Sequence, residues 1–494
     1  MGKNGRNYFR NTLLALARLD KPFIIRGRYF ANPHLDYLTY TDIRPYVPAG
    51  ASTNMICNHV NVMLPDLSKY IAVRPVMTSK VIDMSKEFIQ AQERTNPVFM
   101  TAKTAICLMA KAELPGAEAI VSALGLENSE PLREMSDEET ILGNALVVEA
   151  KYRTMCRLIE DTGFKTCVDL PCGYTPKAIH MTGRGLRFVG LDLPIVIEEV
   201  RPVMRSLGEY AERMSFGGVD ATNYASLEKA LQGVEGPLCI TTEGMMMYFT
   251  EDEVENVIAN IGRLLTKHGG CWITPDPEFL LQFVSTFRSV FGENSLGKLM
   301  LAGKTAKAQS DVANLSNSFI LKPADIPGSL EKAETLLTRH RMKAEKINLG
   351  EVMPDLNIYK RLTPEQVQRF KESMQSCHYW FITLDSTKQE REEDDLAGQK
   401  QFEMQYSVES GIMQLCLVGR LDSISSPELL MAWEAEQTAN TIDGIRIDCS
   451  GLEYISSAGI RLLQELQAEC PQGIGFNKVC PAVKVILKQN GFTI

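Results

Sequence analysis

The 494-residue sequence contains no run of about 18 apolar residues, so it predicts no transmembrane helix. Its twelve cysteines form no Cys-x-x-Cys pair, and its six histidines are scattered, which argues against zinc and for reduced, buried thiols. The basic N-terminal stretch lacks a small-residue cleavage site, which argues against a signal peptide. Together these absences predict a cytoplasmic protein with no membrane span and no bound metal.

An excess of positive charge is also missing. The formal net charge is −9 at pH 7, and we therefore expect no nucleic-acid partner. Internal repeats and low-complexity tracts are absent too. A hydrophobic fraction of 45% is ordinary for globular proteins, and the length predicts two or three domains.

The distribution of apolar and charged residues predicts four regions. Residues 1–120 form an N-terminal irregular and helical region, and residues 121–386 form a domain with a helical lid at 279–345. The charged segment 387–401 has the composition of a linker. Residues 402–494 form a small α/β domain. Because the linker separates the two folded regions, we expect residues 1–388 to fold and bind their ligand alone.

Strand-like and helical segments alternate between residues 166 and 276. The strands are KTCVDL, RFVGLDL, PLCITTEG and GGCWITPD. A helix is predicted at 194–214 after the second strand, and another at 251–267 after the third, where Thr250 and Glu253 form a capping box. A last strand is predicted at 376–385. Buried strands that alternate with helices predict a doubly wound, Rossmann-like α/β core.

Small and acidic residues follow the successive predicted strands. Asp169 and Gly173 lie at the first strand-to-helix turn, Asp192 ends the next strand, and Asp220 with Ala221 follows in GGVDAT. A carboxylate at the second strand end suits a ribose diol, and the later pair suits an adenine group. Each aspartate taken alone would more often be a helix N-cap. Their order and spacing together favour a nucleotide-like cofactor.

Three of these segments carry a resemblance to a known family. VDLPCGYTPK, GLDLP and EGMMMYF resemble, in the same order, the leucine carboxyl methyltransferase-like family of class I methyltransferases. Two departures are present: Pro171 stands where the family has its first motif glycine, and Thr175-Pro176-Lys177 replaces Asp-Thr-Arg.

The resemblance implies S-adenosylmethionine as the cofactor. It implies that Arg153, in KYRTM, binds the cofactor carboxylate, for which a forked guanidinium is well suited. A solvated helix arginine is the alternative. The implied cofactor-binding residues are Arg153, Asp169, Gly173, Asp192, Leu193, Asp220, Ala221 and Glu243.

Methyl transfer requires alignment of the acceptor with the methyl group, and a base when the acceptor is a hydroxyl or an amine. Glu243, Tyr248 and Asp276 lie near strand ends and are the candidate catalytic residues. Tyr174 and His180 are further candidates, although His180 falls within a helix, which favours a structural role.

The C-terminal region carries a second resemblance. VGRLDSISSPEL, IRIDCSGLEYISSAGIRLL and PAVKVILKQNGF resemble the STAS domain of anti-sigma-factor antagonists and sulfate transporters. In signalling members a serine at this helix start is phosphorylated. Aligned on Gly459, the usual acceptor position is Ala458, and Ser457 is the nearest substitute. Ser457 is therefore the candidate regulatory residue, and a docking or dimerising module without phosphorylation is the alternative.

These observations predict a methyltransferase joined to a STAS-like interaction module that contacts a protein partner or a second copy. The favoured reaction is O-methylation of a carboxylate or hydroxyl on a small molecule or peptide end. N-methylation is one alternative. A signalling scaffold that binds the cofactor without turnover is another.

Overall fold

The computed structural model describes residues 23–25, 28–30, 98–127, 137–295, 317–385 and 402–494. The chain forms two compact units, residues 1–90 and 91–494. In the first unit, Phe23–Ile25 pairs antiparallel with Arg28–Phe30. Everything described below belongs to the second unit.

Seven strands form the main sheet of the second unit. They are β1 (Thr166–Asp169), β2 (Arg187–Asp192), β3 (Met214–Gly218), β4 (Leu238–Thr241), β5 (Gly270–Thr274), β6 (Met342–Asn348) and β7 (His378–Leu384). Their order is β3-β2-β1-β4-β5-β7-β6. The first five strands are parallel, and β7 is antiparallel to both of its neighbours. The sheet order reverses between β1 and β4, where doubly wound folds bind their ligands.

Eleven α-helices whose bounds are described accompany this sheet, besides four short 3-10 helices and one π-helical turn in the described residues. They are α1 (Phe99–Lys111), α2 (Ala117–Ala123), α3 (Glu138–Asp161), α4 (Lys177–Gly183), α5 (Pro194–Leu207), α6 (Tyr224–Ala230), α7 (Glu251–His268), α8 (Phe279–Thr286), α9 (Ile326–Arg339), α10 (Leu349–Val352) and α11 (Pro364–Met374). The core of this unit includes Trp272 of β5 and Phe319, which precedes α9 in the chain. Their rings stack with centroids 5.7 Å apart, and Trp380 of β7 packs against Phe319. Within the described ranges, no helix combines the length and the apolar character needed to cross a membrane.

The predicted doubly wound fold is confirmed, and so is the capping box of α7, in which Thr250 and Glu253 bond each other's backbone. Three local predictions differ from the structure. The helix predicted at 194–214 ends at Leu207, and β3 follows it. Strand β6 occupies part of a segment predicted as mostly helical. The segment SDEET at 136–140 predicts a helix capped by its serine, whereas the N-cap of α3 is Asp137.

The C-terminal residues form a second, smaller sheet with its own apolar core. Its elements are β8 (Glu403–Glu409), β9 (Ile412–Leu421), α12 (Ser426–Ala439), β10 (Gly444–Ile455), α13 (Ser457–Glu469), β11 (Ile474–Asn477) and α14 (Pro481–Gln489). The strand order is β8-β9-β10-β11, with one antiparallel pair followed by two parallel pairs. The sequence predicts the same order: strands near 402–408 and 412–418, a helix near 426–437, strand GIRIDCS, a helix at 458–469, strand GIGFNKV and a helix at 481–490.

Candidate functional site

An acidic residue follows or ends each of the five parallel strands at the carboxyl edge of the main sheet. These residues are Asp169, Asp192, Asp220, Glu243 and Asp276. Four are buried and Glu243 is partly exposed. Buried carboxylates are costly unless hydrogen bonds or cations compensate them. The partners of each therefore indicate which carboxylates serve the fold and which keep capacity for a ligand.

Asp169, at the end of β1, is completely buried. Its Oδ1 accepts hydrogen bonds from Lys177 Nζ at 2.8 Å and Thr241 Oγ1 at 2.6 Å. Its Oδ2 has no partner among the described residues. Burial raises the pKa of the Asp169 carboxyl, and Lys177 opposes that rise. The turn after β1 therefore presents one unused acceptor next to a buried ammonium.

Asp192 links the end of β2 to the turn after β1. Its Oδ2 accepts from the Gly173 N–H at 2.8 Å, and its Oδ1 accepts from the Leu193 N–H at 2.7 Å. Gly173 has φ +51°, a backbone conformation that glycine adopts most easily. Burial raises the pKa of Asp192 to about 7. The structure thus brings three of the predicted cofactor residues into one cradle at the switch point of the sheet.

Asp220 lies beyond β3, and both of its oxygens have partners. Oδ1 accepts from Thr222 N at 2.8 Å and Thr222 Oγ1 at 2.6 Å, and Oδ2 accepts from the Ser423 N–H at 3.0 Å. The neighbouring Ala221 carbonyl accepts from Asn260 Nδ2 at 3.0 Å. The C-terminal domain therefore contributes directly to the environment of the predicted adenine-binding pair.

Asp276 holds the chain segment that follows β4. Its carboxylate accepts the N–H groups of Gly244, Met245 and Met246 at 2.6–3.0 Å. This arrangement fixes the backbone of the EGMMMYF segment, and sequence analysis did not anticipate it. The catalytic role predicted for Asp276 stays a prediction, while its observed contacts are those of a residue that shapes the loop.

Glu243 and Tyr248 lie at the two ends of this same segment. Glu243 Oε1 is 3.6 Å from Lys151 Nζ on α3, and the Lys151 ammonium lies over the ring of Phe279, 5.3 Å from its centroid. The Tyr248 hydroxyl donates to Thr101 Oγ1 at 2.9 Å. Both side chains are partly exposed, so both remain candidates for contact with a substrate.

Arg153 on α3 is held by an acidic neighbour one turn earlier. Its Nε donates to Glu149 Oε1 at 2.6 Å, and Glu149 also accepts the N–H groups of Asn357 and Ile358. The adjacent Thr154 Oγ1 is buried and has no partner in the described part of the chain. The predicted contact of Arg153 with a cofactor carboxylate stays a prediction. His180 pairs with Glu160 of α3 at 3.0 Å.

Helix α1 covers the strand ends, although the sequence placed it in a separate N-terminal region. Thr101 bonds Tyr248, and the Ala102 Cβ is 3.7 Å from where a Cβ on Gly173 would lie. Lys103 Nζ contacts Glu199 Oε1 at 3.0 Å, and the Tyr174 hydroxyl also donates to Glu199. No sequence motif marked residues 101–103, because only the fold brings them to the glycine turn.

The C-terminal domain contacts the main domain at the start of α13. The Ser457 N–H donates to Glu253 Oε1 at 2.8 Å, while Ser456 caps the helix by accepting from Gly459 N. A cavity of about 230 Å³ adjoins this contact and is lined by both domains. The helix start that carries the candidate regulatory residue Ser457 therefore receives a carboxylate from the same chain.

Other reactive groups form no further site in the described residues. The eleven described cysteines are free, and nine of them are buried. No group of three or more His, Cys, Asp or Glu side chains in the same residues could hold a metal ion.

Comparison with known proteins identifies the small domain. Residues 404–493 match the family model described as "Mlab, STAS domain", which confirms the resemblance for this part of the chain. No curated protein matches the sequence.

Solved structures similar to the larger domain include three methyltransferases. The human N-acetylserotonin methyltransferase, in complex with SAM, is 11% identical over 54% of this chain, with a TM-score of 0.27. That match spans 61% of the human chain, less than two thirds of it. Geranyl diphosphate C-methyltransferase from Streptomyces coelicolor is 12% identical over 51% of this chain and 87% of its own, with a TM-score of 0.27. Magnesium protoporphyrin IX methyltransferase from Synechocystis, with bound SAH, is 12% identical over 52% of this chain and 96% of its own, with a TM-score of 0.31. None of the three is a leucine carboxyl methyltransferase.

Proposed function

We propose that residues 121–386 form an S-adenosylmethionine-dependent methyltransferase. The observation that carries the proposal is the bond between the Gly173 N–H and Asp192 Oδ2. It joins the glycine turn after β1 to the acidic end of β2 at the switch point of the sheet, where a nucleoside would lie. The sheet order, with the antiparallel β7 between β5 and β6, agrees with the doubly wound core that the class I methyltransferase resemblance implies.

The residues at the strand ends have unused capacity for such a cofactor. A carboxylate accepts about four hydrogen bonds, and the Asp192 oxygens accept two from backbone N–H groups. Two sites therefore remain for the two ribose hydroxyls. Asp169 Oδ2 is buried without a partner in the described residues, which is expected of a polar atom that faces a bound polar molecule.

The cofactor would supply an electrophilic methyl group on a sulfonium sulfur. The chain would bind and orient it through Gly173, Asp192 and the loop at Asp220. Helix α1, which covers the glycine turn, would help to exclude water. Glu243 would take the proton from a hydroxyl or amine acceptor, whereas a carboxylate acceptor needs no base. Burial raises the pKa of the Tyr248 hydroxyl, so Tyr248 would stay protonated and orient the acceptor by a hydrogen bond.

The favoured reaction is O-methylation of a carboxylate or hydroxyl on a small molecule or peptide end, following the family resemblance. N-methylation and cofactor binding without turnover are the alternatives. For the C-terminal domain we propose a protein-contact role, and the bond between Ser457 and Glu253 supports a surface that receives carboxylates. Ser457 is the residue at which modification would change that contact.

Calorimetric titration of the full chain tests cofactor binding. We expect both S-adenosylmethionine and S-adenosylhomocysteine to bind, because they share the nucleoside and the amino acid. Incubation with methyl-deuterated S-adenosylmethionine and a metabolite or peptide extract should then place the label in a product. Release of labelled methanol in mild alkali would identify a methyl ester, since ethers and N-methyl groups resist that treatment. If neither compound binds, the proposal is contradicted. If both bind but no labelled product forms, the result favours the alternative in which the protein binds the cofactor without turnover.

The pH dependence of binding provides a further prediction. The ionised Asp192 carboxylate accepts the ribose hydroxyls, and its pKa is about 7 in the folded protein. At pH 6 roughly one molecule in ten has this form, so S-adenosylhomocysteine should bind about tenfold more weakly than at pH 8.5.

The stability of the ligand-free protein should change with pH in the opposite sense. Because the pKa of Asp192 is raised in the folded protein, its contribution to the free energy of unfolding is present below about pH 4 and is lost as the pH rises through 7. In Asp192→Asn both dependences should disappear.

A further inference from the structure

The loop after β3 is held by residues from outside its own domain. We propose that the C-terminal domain positions this loop for the cofactor, so that docking of the C-terminal domain and binding of S-adenosylmethionine strengthen each other. This inference rests on the proposed function. Arg420 and Ser423 are its positioning residues, since they act on the loop and not on the reacting atoms.

Arg420, at the end of β9, makes the main contact. Its Nη2 donates to the Thr222 carbonyl at 3.3 Å and lies 3.2 Å from Thr222 Oγ1. The residue is 9% exposed, and its guanidinium stacks 4.1 Å from the ring centroid of Tyr454. A guanidinium held in this way is fixed before it meets the loop, so little side-chain entropy is lost when the contact forms.

Ser423, in the turn that follows β9, makes a second contact with the loop after β3. Its N–H donates to Asp220 Oδ2 at 3.0 Å, while Thr222 occupies Asp220 Oδ1. Asn223 Nδ2 lies 3.4 Å from Asp422 Oδ2 and its own Oδ1 caps α6. The orientation of the Asp220 carboxylate therefore depends on both domains.

The charges around this contact point to the same coupling. Asp220 and Asp422 are both buried, and Arg420 Nε lies 3.7 Å from Asp422 Oδ2. Burial, together with the charge of Asp220, raises the pKa of Asp422 to about 6. Without Arg420, two buried carboxylates would face each other with less compensation, and the loop would move to separate them.

A second contact restrains the start of α7, which follows the EGMMMYF segment. Glu253 Oε1 accepts the Ser457 N–H, and Glu253 Oε2 accepts the Thr250 N–H in the capping box. The C-terminal domain thus contacts the loop after β3 and the helix that begins after β4. Both segments lie at the edge where the nucleoside is proposed to bind, so their ordering by one domain lowers the entropy lost on binding.

Arg420→Met tests the main contact, with Arg446→Met as its matched control. Methionine keeps an apolar stem over Tyr454 but removes the donors to Thr222. Arg446 lies on β10 of the same domain and donates to the Ile445 carbonyl. We expect Arg420→Met to weaken binding of S-adenosylhomocysteine about fivefold or more, as is typical of coupled sites, and Arg420→Lys to recover part of the loss. Arg446→Met should bind as the wild type does.

Thr222→Val separates a contact effect from general damage to the C-terminal domain. Valine removes Thr222 Oγ1 but keeps the carbonyl that Arg420 also contacts. If Arg420 acts through Thr222, the loss of binding free energy in the double variant should be smaller than the sum of the two single losses. Full additivity of the two losses would contradict a contact through the Thr222 hydroxyl. Circular dichroism of each variant controls for folding.

Reciprocity provides a readout that a purely structural role would not change. A protease site inserted within residues 389–401 of the full chain allows cleavage after folding. S-adenosylhomocysteine should then lower the Kd of the C-terminal fragment for the wild-type N-terminal fragment by the factor by which docking raises the affinity for S-adenosylhomocysteine. In Arg420→Met this tightening should be lost.

The outcomes separate this inference from the function on which it rests. If uncleaved wild type does not bind S-adenosylhomocysteine, the proposed function fails and the inference fails with it. If wild type binds, but Arg420→Met and the separated N-terminal fragment bind equally well, the proposed function stands and the coupling is wrong. That second result would also agree with the sequence-based expectation that residues 1–388 bind alone.

Discussion

Lys177→Met is expected to lower the free energy of unfolding of the main domain by about 3–5 kcal/mol, as is typical when one member of a buried ion pair is removed. Lys177 is 2% exposed and donates to the fully buried Asp169. Methionine keeps much of the side-chain volume, so the loss comes mainly from the uncompensated carboxylate and less from a cavity. Urea unfolding, followed by the fluorescence of Trp272 and Trp380 in a Trp433→Phe background, would measure the change in this domain.

The double variant Lys177→Met, Asp169→Asn is the control for that interpretation. Asparagine is neutral and can still accept from Thr241, so the double variant should be more stable than Lys177→Met alone. The single variant should also recover stability as the pH falls, because Asp169 then takes up a proton and its charge is removed. Equal losses in the single and double variants, with no dependence on pH, would show that packing and not charge is responsible.

Asp192→Ala is expected to weaken S-adenosylhomocysteine binding by about 1.5–3 kcal/mol, the range for hydrogen bonds to a charged group. This corresponds to about 10- to 150-fold in Kd. Alanine removes the acceptor for the ribose hydroxyls and also the bond that closes the glycine turn through Gly173. Calorimetry at pH 8.5, where the wild-type carboxylate is ionised, gives the largest difference.

An exposed aspartate provides the matched control for this loss. Asp161 lies at the end of α3 in an exposed pair with Arg157, and Asp161→Ala should leave the affinity unchanged. Asp192→Asn keeps an acceptor oxygen and should fall between wild type and alanine. Wild-type affinity in a folded Asp192→Ala variant would remove Asp192 from the cofactor site.

The sequence by itself determined much of the secondary structure and the type of fold. Buried strands such as β1, β2, β4 and β5 are short apolar runs between turn residues, and their alternation with helices leaves few arrangements other than a doubly wound sheet. The capping box at Thr250 and Glu253 was also predictable, because its bonds are local. The elements of the C-terminal domain were predicted for the same reason, and the family match supports them.

Two strands of the main sheet were missed because their sequences carry weak local signals. Strand β3 contains two glycines, and the fold requires them: a Cβ on Gly217 would lie 2.9 Å from Ala230 Cβ, and one on Gly218 would meet Pro194. Strand β6, MKAEKIN, lies at the sheet edge and is rich in charge. In both cases pairing with neighbouring strands outweighs the residues' own propensities.

Only the tertiary structure decided what each acidic strand end contacts. Asp169, Asp192, Asp220 and Asp276 look equivalent in the sequence, yet one pairs with a buried lysine, one closes the glycine turn, one receives the C-terminal domain and one holds a loop. Their partners lie up to 203 positions away along the chain. Hydrogen bonding and ionisation depend on such distant neighbours, whereas helix caps and apolar periodicity depend on adjacent residues. For that reason the sequence predicted the edge of the sheet where a ligand would bind, and the fold decided which carboxylate retains capacity for it.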